Sequence, residues 1–261
     1  MARAIWKGVI RFGTIDVPVR LFSAVQDRDV HFRLLHGKDL VPVEQHMVNP
    51  ETDEIVPRER IRKGFEVDPG VFVMLDDEEL EELEPEPSRE IEVMRFVKPE
   101  LISHQWYERP YYLGPDGSEP SYLALARALE HRKLEGVARW TMRKRSYLGT
   151  LRARGNHLLL ITIRPAEEVV LAESLDAPEG RKLDQREVRM ARQLVSALEG
   201  EFEPESFTDE YRDKVMALIE AKASGEKIPV SQAKRKRGTE RELTNVLKAS
   251  IQSVRKEKAV A

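Results

Sequence analysis

Arginine side chains recur at alternate positions of one segment of the chain. Arg139, Thr141, Arg143 and Arg145 would fall on one face of a strand, and Ala138, Trp140 and Met142 on the other. Arg152 and Arg154 would share a face of the next strand. Because guanidinium groups bind phosphate oxygens well, such a row predicts the floor of a groove for a polyanion. An ordinary half-exposed strand is the alternative interpretation.

Four consecutive acids, Asp76 to Glu79, are the second candidate for chemistry. Paired carboxylates can hold the two cations of a metal-dependent nuclease. Consecutive residues point around a helix instead of converging, however, and acids are also favoured at a helix N-terminus. We therefore prefer a helix start here and keep the acid-cluster nuclease as a lesser alternative.

Other catalytic patterns are missing from the sequence. The chain has no cysteine, which excludes disulfides, Cys-ligated zinc and thiol nucleophiles. Gly8 and Gly13 have the spacing of a phosphate loop, but Thr14-Ile15 stands where Lys-Ser/Thr is needed. The six histidines are scattered, without the one-turn spacing typical of helical metal sites. We expect a non-enzymatic protein without cofactor or metal.

The charges are segregated along the chain. The net charge of the 261 residues is only −3, but the segment 76–92 holds ten acids and one base. The segment 127–154 holds nine bases and two acids, and the tail 234–261 holds nine bases and three acids. Two basic zones on an acidic background suit a polyanion bound at a defined place. A solvated, salt-bridged surface would also explain them.

The first two thirds of the chain are typical of strands with turns between them, so we predict an α+β fold that is mainly β. Gly155-Asn156 suits a tight hairpin turn. Two short helices are expected, at 76–83 and 120–132. The predicted strands are 5–12, 17–24, 65–75, 91–97, 136–145, 147–154 and 157–164.

From about Leu183 onwards the pattern becomes helical. Asp184 and Glu187 form a capping box, and a second helix is expected from Thr208 to Gly225. The segment 226–238 is basic and polar, which predicts a linker. An amphipathic helix and tail at 239–261 would follow, and its apolar stripe is either a docking surface for another protein or a face that folds back on the parent domain. That stripe is Leu243, Leu247, Ile251 and Val254.

Nothing in the sequence indicates a membrane segment. The N-terminal 21 residues are interrupted by charges, and the apolar runs are far too short to span a bilayer. We expect a cytoplasmic protein without membrane partners.

Several ordered motifs resemble the bacterial Ku proteins of non-homologous end joining. The resemblance covers residue 4 to about residue 225, and its first block is specific. Small departures are Thr14-Ile15 and Phe65, where relatives often carry Leu-Val and Tyr. The motifs are Ala4-Ile5-Trp6-Lys7-Gly8, Phe12-Gly13, Val17-Pro18-Val19-Arg20-Leu21, Leu35-His36, Lys63-Gly64-Phe65-Glu66, Asp77-Glu78-Glu79-Leu80, Arg109-Pro110-Tyr111-Tyr112-Leu113, Asp209-Glu210-Tyr211 and Glu220-Ala221-Lys222.

The resemblance implies a Ku-type β-barrel core at 1–225, with bridging strands and a C-terminal helical arm from about residue 183. It implies a homodimer whose barrels and bridging strands close a ring around duplex DNA, with the arm packing on the partner. It also implies binding at double-strand break ends, near the nucleoid, and recruitment of the end-joining DNA ligase, partly through the C-terminal segment.

A ring that accepts any DNA end must contact backbone phosphates, and this requires Arg and Lys without a recognition helix. A basic scaffold that binds nucleic acid without needing an end is the competing hypothesis. The cations that we expect to line the channel are Lys7, Arg20, Arg58, Arg60, Arg62, Lys63, Arg139, Arg143, Arg145, Arg152 and Arg154.

Overall fold

A computed structural model describes residues 3–176, 180, 182–225, 247–248 and 250–252. The chain divides into two compact units. The first comprises residues 1–28 and 32–174, and the second comprises residues 29–31 and 175–261.

The first unit is built on a closed barrel of seven strands. The spatial order of the strands around the barrel is β1-β2-β6-β9-β8-β7-β5, and a parallel pairing of β5 with β1 closes the barrel. Every other pairing in the barrel is antiparallel. The nine strands of the unit are β1 (Trp6–Phe12), β2 (Ile15–Ser23), β3 (Lys63–Asp68), β4 (Val71–Leu75), β5 (Glu90–Val97), β6 (Tyr107–Pro115), β7 (Glu135–Met142), β8 (Arg145–Arg154) and β9 (His157–Ile163).

The barrel forms because each strand alternates apolar and polar residues, so that one face is buried. The predicted inward set Ala138, Trp140 and Met142 is confirmed as buried, whereas Arg139 is exposed. Gly149 lies where an added Cβ would come within 2.7 Å of the Trp140 ring and 2.5 Å of the Ile161 carbonyl oxygen. A glycine at this position therefore allows the largest core side chain to fit.

A helix, α2 (Glu119–Arg132), packs against β8, β2 and β9 and confirms the helix predicted at 120–132. Its Tyr122 hydroxyl donates to the Leu113 carbonyl (2.6 Å) and accepts from the Leu158 amide (2.8 Å). Lys133, with φ of 51°, ends the helix in the left-handed conformation. This helix thereby contributes four residues to the buried cluster, Tyr122, Leu125, Ala126 and Leu129.

An insertion of 66 residues, 24–89, separates β2 from β5. It contains the β3–β4 hairpin and α1 (Asp77–Glu82), the helix predicted at 76–83. The prediction of a single strand at 65–75 is wrong. Pro69 and Gly70 form a turn, with φ of 80° at Gly70, and they divide the segment into two strands.

The structure corrects one further strand prediction and adds one strand that was not predicted. The strand predicted at 136–145 ends at Met142, because Arg143 and Lys144 have φ of 52° and 63° and form a two-residue turn into β8. Strand β6 was not predicted, because Pro110 interrupts its pattern. The β6–β9 register shifts between Tyr107 and Pro110, an irregularity at which a proline is tolerated.

The second unit contains α3 (Gln185–Leu198) and α4 (Glu210–Ser224). The predicted capping box is confirmed, since the Asp184 amide donates to Glu187 (3.0 Å). Residues 247–248 and 250–252 are helical, and Leu247 and Ile251 are half-buried. The predicted linker 226–238, Leu243 and Val254 lie outside the described residues. In the described part of the chain, no helix combines the length and apolar character needed to cross a bilayer.

Candidate nucleic-acid interface

The β7–β8 turn presents three consecutive cations, Arg143, Lys144 and Arg145, all of them exposed. They stand on a rigid base, because Trp140 and Tyr147 pair across the two strands and stack with ring centroids 5.5 Å apart. Within the described ranges, Arg143 and Arg145 have no acidic group within 4 Å. This turn therefore presents two guanidinium groups that are available to an external anion.

Helix α1 links this turn to the base of the β3–β4 hairpin. At one end, Asp77 lies 2.8 Å from the Lys63 ammonium, which lowers the pKa of Asp77 through a hydrogen bond and its charge. Beyond the other end, Glu84 lies 2.9 Å from Lys144 and raises the pKa of that amine, and Glu81 lies 3.7 Å away. The acidic helix thus connects two groups of cations that are distant in the sequence.

Three of the four acids in the run, Asp76, Asp77 and Glu79, have structural partners. The Asp76 amide donates to the Glu79 carboxylate (2.9 Å), as in a capping box. No three His, Asp or Glu side chains among the described residues are grouped to hold a metal ion. The acids therefore serve to start α1 and to balance neighbouring cations.

The predicted cations of the insertion lie beside α1. Arg58 and Arg62 line a cleft of about 610 Å³ together with Lys63 and the first residues of the acidic run. The Arg62 guanidinium donates to the Glu59 and Ile61 carbonyls, and the Arg60 guanidinium lies 3.8 Å from Glu54. Through α1, the structure brings this predicted group together with the β7–β8 turn.

Lys7 and Arg20 form a separate pair. They lie opposite each other in the β1–β2 ladder, and both reach Asp116, at 3.1 Å and 3.5 Å. Arg20 also donates to the Pro115 carbonyl. Asp116, the residue after β6, therefore partly balances their charges, and this pair is separate from the cations around α1.

Arg152 has a buried partner that the sequence did not reveal. Its guanidinium binds Glu135, whose side chain is fully buried, and lies over the Tyr107 ring. The Tyr107 hydroxyl donates to the same carboxylate (3.0 Å). Burial, followed by the bond to Glu135, raises the pKa of Tyr107 to about 12. Arg152 thus compensates an internal charge.

The predicted row of arginines is not continuous. Arg145 lies at the start of β8, whereas Arg152 and Arg154 lie at its other end. Arg139 faces outward opposite Glu92, but Arg143 lies in the turn. Arg154 lies nine residues after Arg145, which at about 3.3 Å per residue is roughly 30 Å along the strand. The alternation within β7 was predicted correctly, but the continuous row was not, because the chain reverses at Arg143-Lys144.

Two functional candidates were missed. Lys144 was counted among the basic residues but was not named as a site residue. Arg109 lies over the Tyr111 ring (5.8 Å), and Arg143 is close enough to affect the same phenol. Burial is the main cause that raises the pKa of Tyr111. Arg109 begins the motif Arg109-Pro110-Tyr111-Tyr112-Leu113, and this motif was the feature of the sequence that could have identified Arg109 as a candidate.

The fold and the site define the class of protein as a closed β-barrel with a long exposed insertion, whose arginines without an acidic group within 4 Å among the described residues suit a polyanion. Comparison with known proteins identifies the class more closely. The sequence profile of the Ku70/Ku80 beta-barrel domain matches residues 11–190. The chain belongs to the Ku β-barrel family.

Curated relatives extend over nearly the whole chain. Non-homologous end joining protein Ku 2 of Geotalea uraniireducens (strain Rf4) is 42% identical over 224 residues, which are 86% of this chain and 87% of the relative. Non-homologous end joining protein Ku of Anaeromyxobacter sp. (strain K) is 37% identical and covers 98% of this chain and 87% of its own. The corresponding protein of Koribacter versatilis (strain Ellin345) is 35% identical, covering 99% and 89%.

Proposed function

We propose that this chain acts in non-homologous end joining as a homodimer that encircles broken ends of duplex DNA and recruits a DNA ligase. Membership of the Ku family and the names of its relatives support the role in end joining. This role would place the protein at the nucleoid in the cytoplasm. The observation that carries the dimer and the ring is the exposed apolar surface of the insertion between β2 and β5.

This insertion does not bury its own apolar side chains. No residue from 25 to 89 belongs to the buried core. Sixteen large apolar side chains between Phe32 and Met74 are exposed, including Phe65 (65%) and Phe72 (58%) on the β3–β4 hairpin. Surfaces of this kind mark protein interfaces. A second copy, joined by a two-fold axis, would cover each insertion with the same surface.

The cations beside this insertion suit the DNA backbone. Arg58, Arg62, Arg143 and Arg145 have no acidic group within 4 Å in the described part of the chain, and they come from two segments joined by α1. Lys63 and Lys144 would bind phosphates after breaking their ion pairs with Asp77 and Glu84. No recognition helix is needed, because backbone contacts carry no sequence information. Lys7, Arg20 and Arg152 already have acidic partners within the protein, so we propose that they hold the fold together beside the interface and do not contact phosphates themselves.

Adding negative charge to the β3–β4 hairpin tests the proposed dimer. The substitutions Phe65→Glu and Phe72→Glu together should give a folded monomer that has lost tight end binding, because both side chains are exposed in the single chain. Sedimentation velocity measures the mass, and Leu101→Glu is the control, since Leu101 is 74% exposed outside the insertion. A variant that remains dimeric would contradict the proposal.

The tail is proposed to recruit the ligase through Leu243, Leu247, Ile251 and Val254. Removing the chain after Gly225 should abolish stimulation of the ligase while dimerisation and end binding persist. Ligation of a linear duplex by the end-joining ligase, with full-length and shortened protein, measures this. Stimulation by the shortened protein would show that the terminal helix serves its own domain instead.

The two alternatives predict different results. A metal-dependent nuclease would cleave DNA in the presence of magnesium and would lose that activity when Asp76 and Asp77 are replaced. A scaffold that needs no end would bind closed circles and linear fragments equally. The partners already found for the acids around α1 favour a structural role, and we propose no catalytic step.

A further inference from the structure

Three exposed cations around Glu130 form a second basic surface, the α2 cluster, at the end of β8 remote from the β7–β8 turn. Arg127 lies three residues before Glu130 on α2, Lys133 is the C-cap residue of α2, and Arg154 is the last residue of β8. The two elements are held together here, because the Glu130 carboxylate accepts a hydrogen bond from the Gly155 amide (2.9 Å).

The α2 cluster has more cations than acids. The segment 117–164 contains three acids. Glu119 lies in the first turn of α2, and Glu135 is buried against Arg152. Glu130 lies within the cluster, where its carboxylate accepts from the neutral Gly155 amide and keeps its charge. Three cations around one acid leave a net positive charge at this surface.

Stabilisation of α2 explains only part of this charge. Cations at the C-terminal end of a helix interact favourably with the helix dipole, and this accounts for Lys133. The effect fades beyond one turn, so it does not account for Arg127. Arg154 belongs to a strand, where no such dipole acts. Two different elements thus bring more charge to one surface than the helix requires.

The α2 cluster is also separate from the interface proposed above. Arg145 and Arg154 are roughly 30 Å apart along β8, a distance that corresponds to about nine base pairs of duplex. One phosphate group cannot contact both ends of the strand.

We infer that the α2 cluster is a second contact surface for the phosphate backbone of duplex DNA. It would contact a stretch of duplex different from the one at the β7–β8 turn. The inference rests on the proposed DNA binding. An apolar groove of about 510 Å³ borders Arg132 on another face of α2, and none of the three cations lines it, so a protein ligand in the groove would not explain the cluster.

The salt dependence of DNA binding tests this inference. Full-length protein and the variant Arg127→Glu/Lys133→Glu are titrated with a long, blunt linear duplex at several salt concentrations. The variant should bind more weakly, and its slope of log K against log salt should be shallower by about 1.8 for two lost phosphate contacts. Both side chains are exposed, so thermal unfolding should change only by the small loss of the interaction between Lys133 and the helix dipole.

Two matched controls separate a local contact from a change in net charge. The charge-conserving variant Arg127→Lys/Lys133→Arg should retain the slope. The variant Lys214→Glu/Lys222→Glu makes the same change in net charge on α4 and should alter the slope much less. An unchanged slope in Arg127→Glu/Lys133→Glu, or an equal loss in the α4 variant, would overturn the inference.

Failure of this inference is distinguishable from failure of the proposed function. The substitutions Arg143→Glu and Arg145→Glu probe the β7–β8 turn alone. If Arg143→Glu/Arg145→Glu loses affinity for DNA and Arg127→Glu/Lys133→Glu does not, the proposed function stands and only the inference about the α2 cluster fails. Because the two sites share no partners, their effects on binding free energy should add when combined.

Discussion

Replacing Arg152 with alanine should destabilise the barrel without weakening DNA binding directly. The Glu135 carboxylate is fully buried, and Arg152 is the cation that balances it. Removing the guanidinium would leave a buried charge with the Tyr107 hydroxyl as its remaining hydrogen-bond donor among the described residues. An uncompensated charge in the interior is among the few causes of a large mutational effect.

The magnitude follows from the burial of the two partners. Breaking a fully buried pair costs about 3–5 kcal/mol. The Arg152 side chain is 40% exposed, so solvent screens part of the interaction, and the bond from Tyr107 remains. We therefore expect a loss of about 2–3 kcal/mol in the free energy of unfolding. For a domain of this size, that corresponds to a decrease in Tm of roughly 4–12 °C.

Urea and thermal unfolding measure the loss, and a second substitution identifies its cause. Arg152→Ala/Glu135→Gln removes the buried charge but keeps an acceptor for Tyr107, so this variant should be more stable than Arg152→Ala alone. The salt dependence of DNA binding should match that of the unsubstituted protein. A loss below about 1 kcal/mol, or no rescue by glutamine, would refute the structural role of Arg152.

Three further results are expected. Arg143→Glu with Arg145→Glu should weaken binding to all DNA sequences alike and flatten the salt dependence by about 0.9 log units for each lost phosphate contact, and an unchanged slope in anisotropy titrations would argue against this interface. Gly149→Ala should cost about 1–3 kcal/mol in urea unfolding, because its Cβ would overlap the Trp140 ring, whereas Gly200→Ala, with open space around it, should cost little. Finally, Tyr107 ionises near pH 10 when unfolded and at about 12 when folded, so the unfolded chain loses its proton first and stability falls between pH 10 and 12. Tyr107→Phe should lose less stability in that range, and an identical pH dependence would contradict the raised pKa of Tyr107.

Local patterning was sufficient to predict most of the barrel. Strands with one buried face have a period of two, which is why β7 and its inward residues were predicted correctly. The capping box of α3 is equally local, since Asp184 and Glu187 are three residues apart. These features depend on neighbours in the sequence, and so they can be read from it.

The errors arose where the determining contacts are long-range or where the turn signal is weak. Arg143-Lys144 contains neither Gly nor Asn, so its left-handed conformation gave no warning in the sequence. The pairing of Arg152 with Glu135 was missed because Glu135 lies seventeen residues away, on the neighbouring strand. The parallel pairing that closes the barrel between β1 and β5 likewise joins distant segments.

The most direct test of the central claim is a competition experiment. The protein is bound to a labelled linear duplex and challenged with an excess of unlabelled DNA of the same sequence, either linear or covalently closed. If the dimer encircles DNA by threading onto an end, linear DNA should compete well and closed circles poorly. Equal competition by closed circles would mean an open basic groove, and it would contradict both the ring and the proposed role at broken ends.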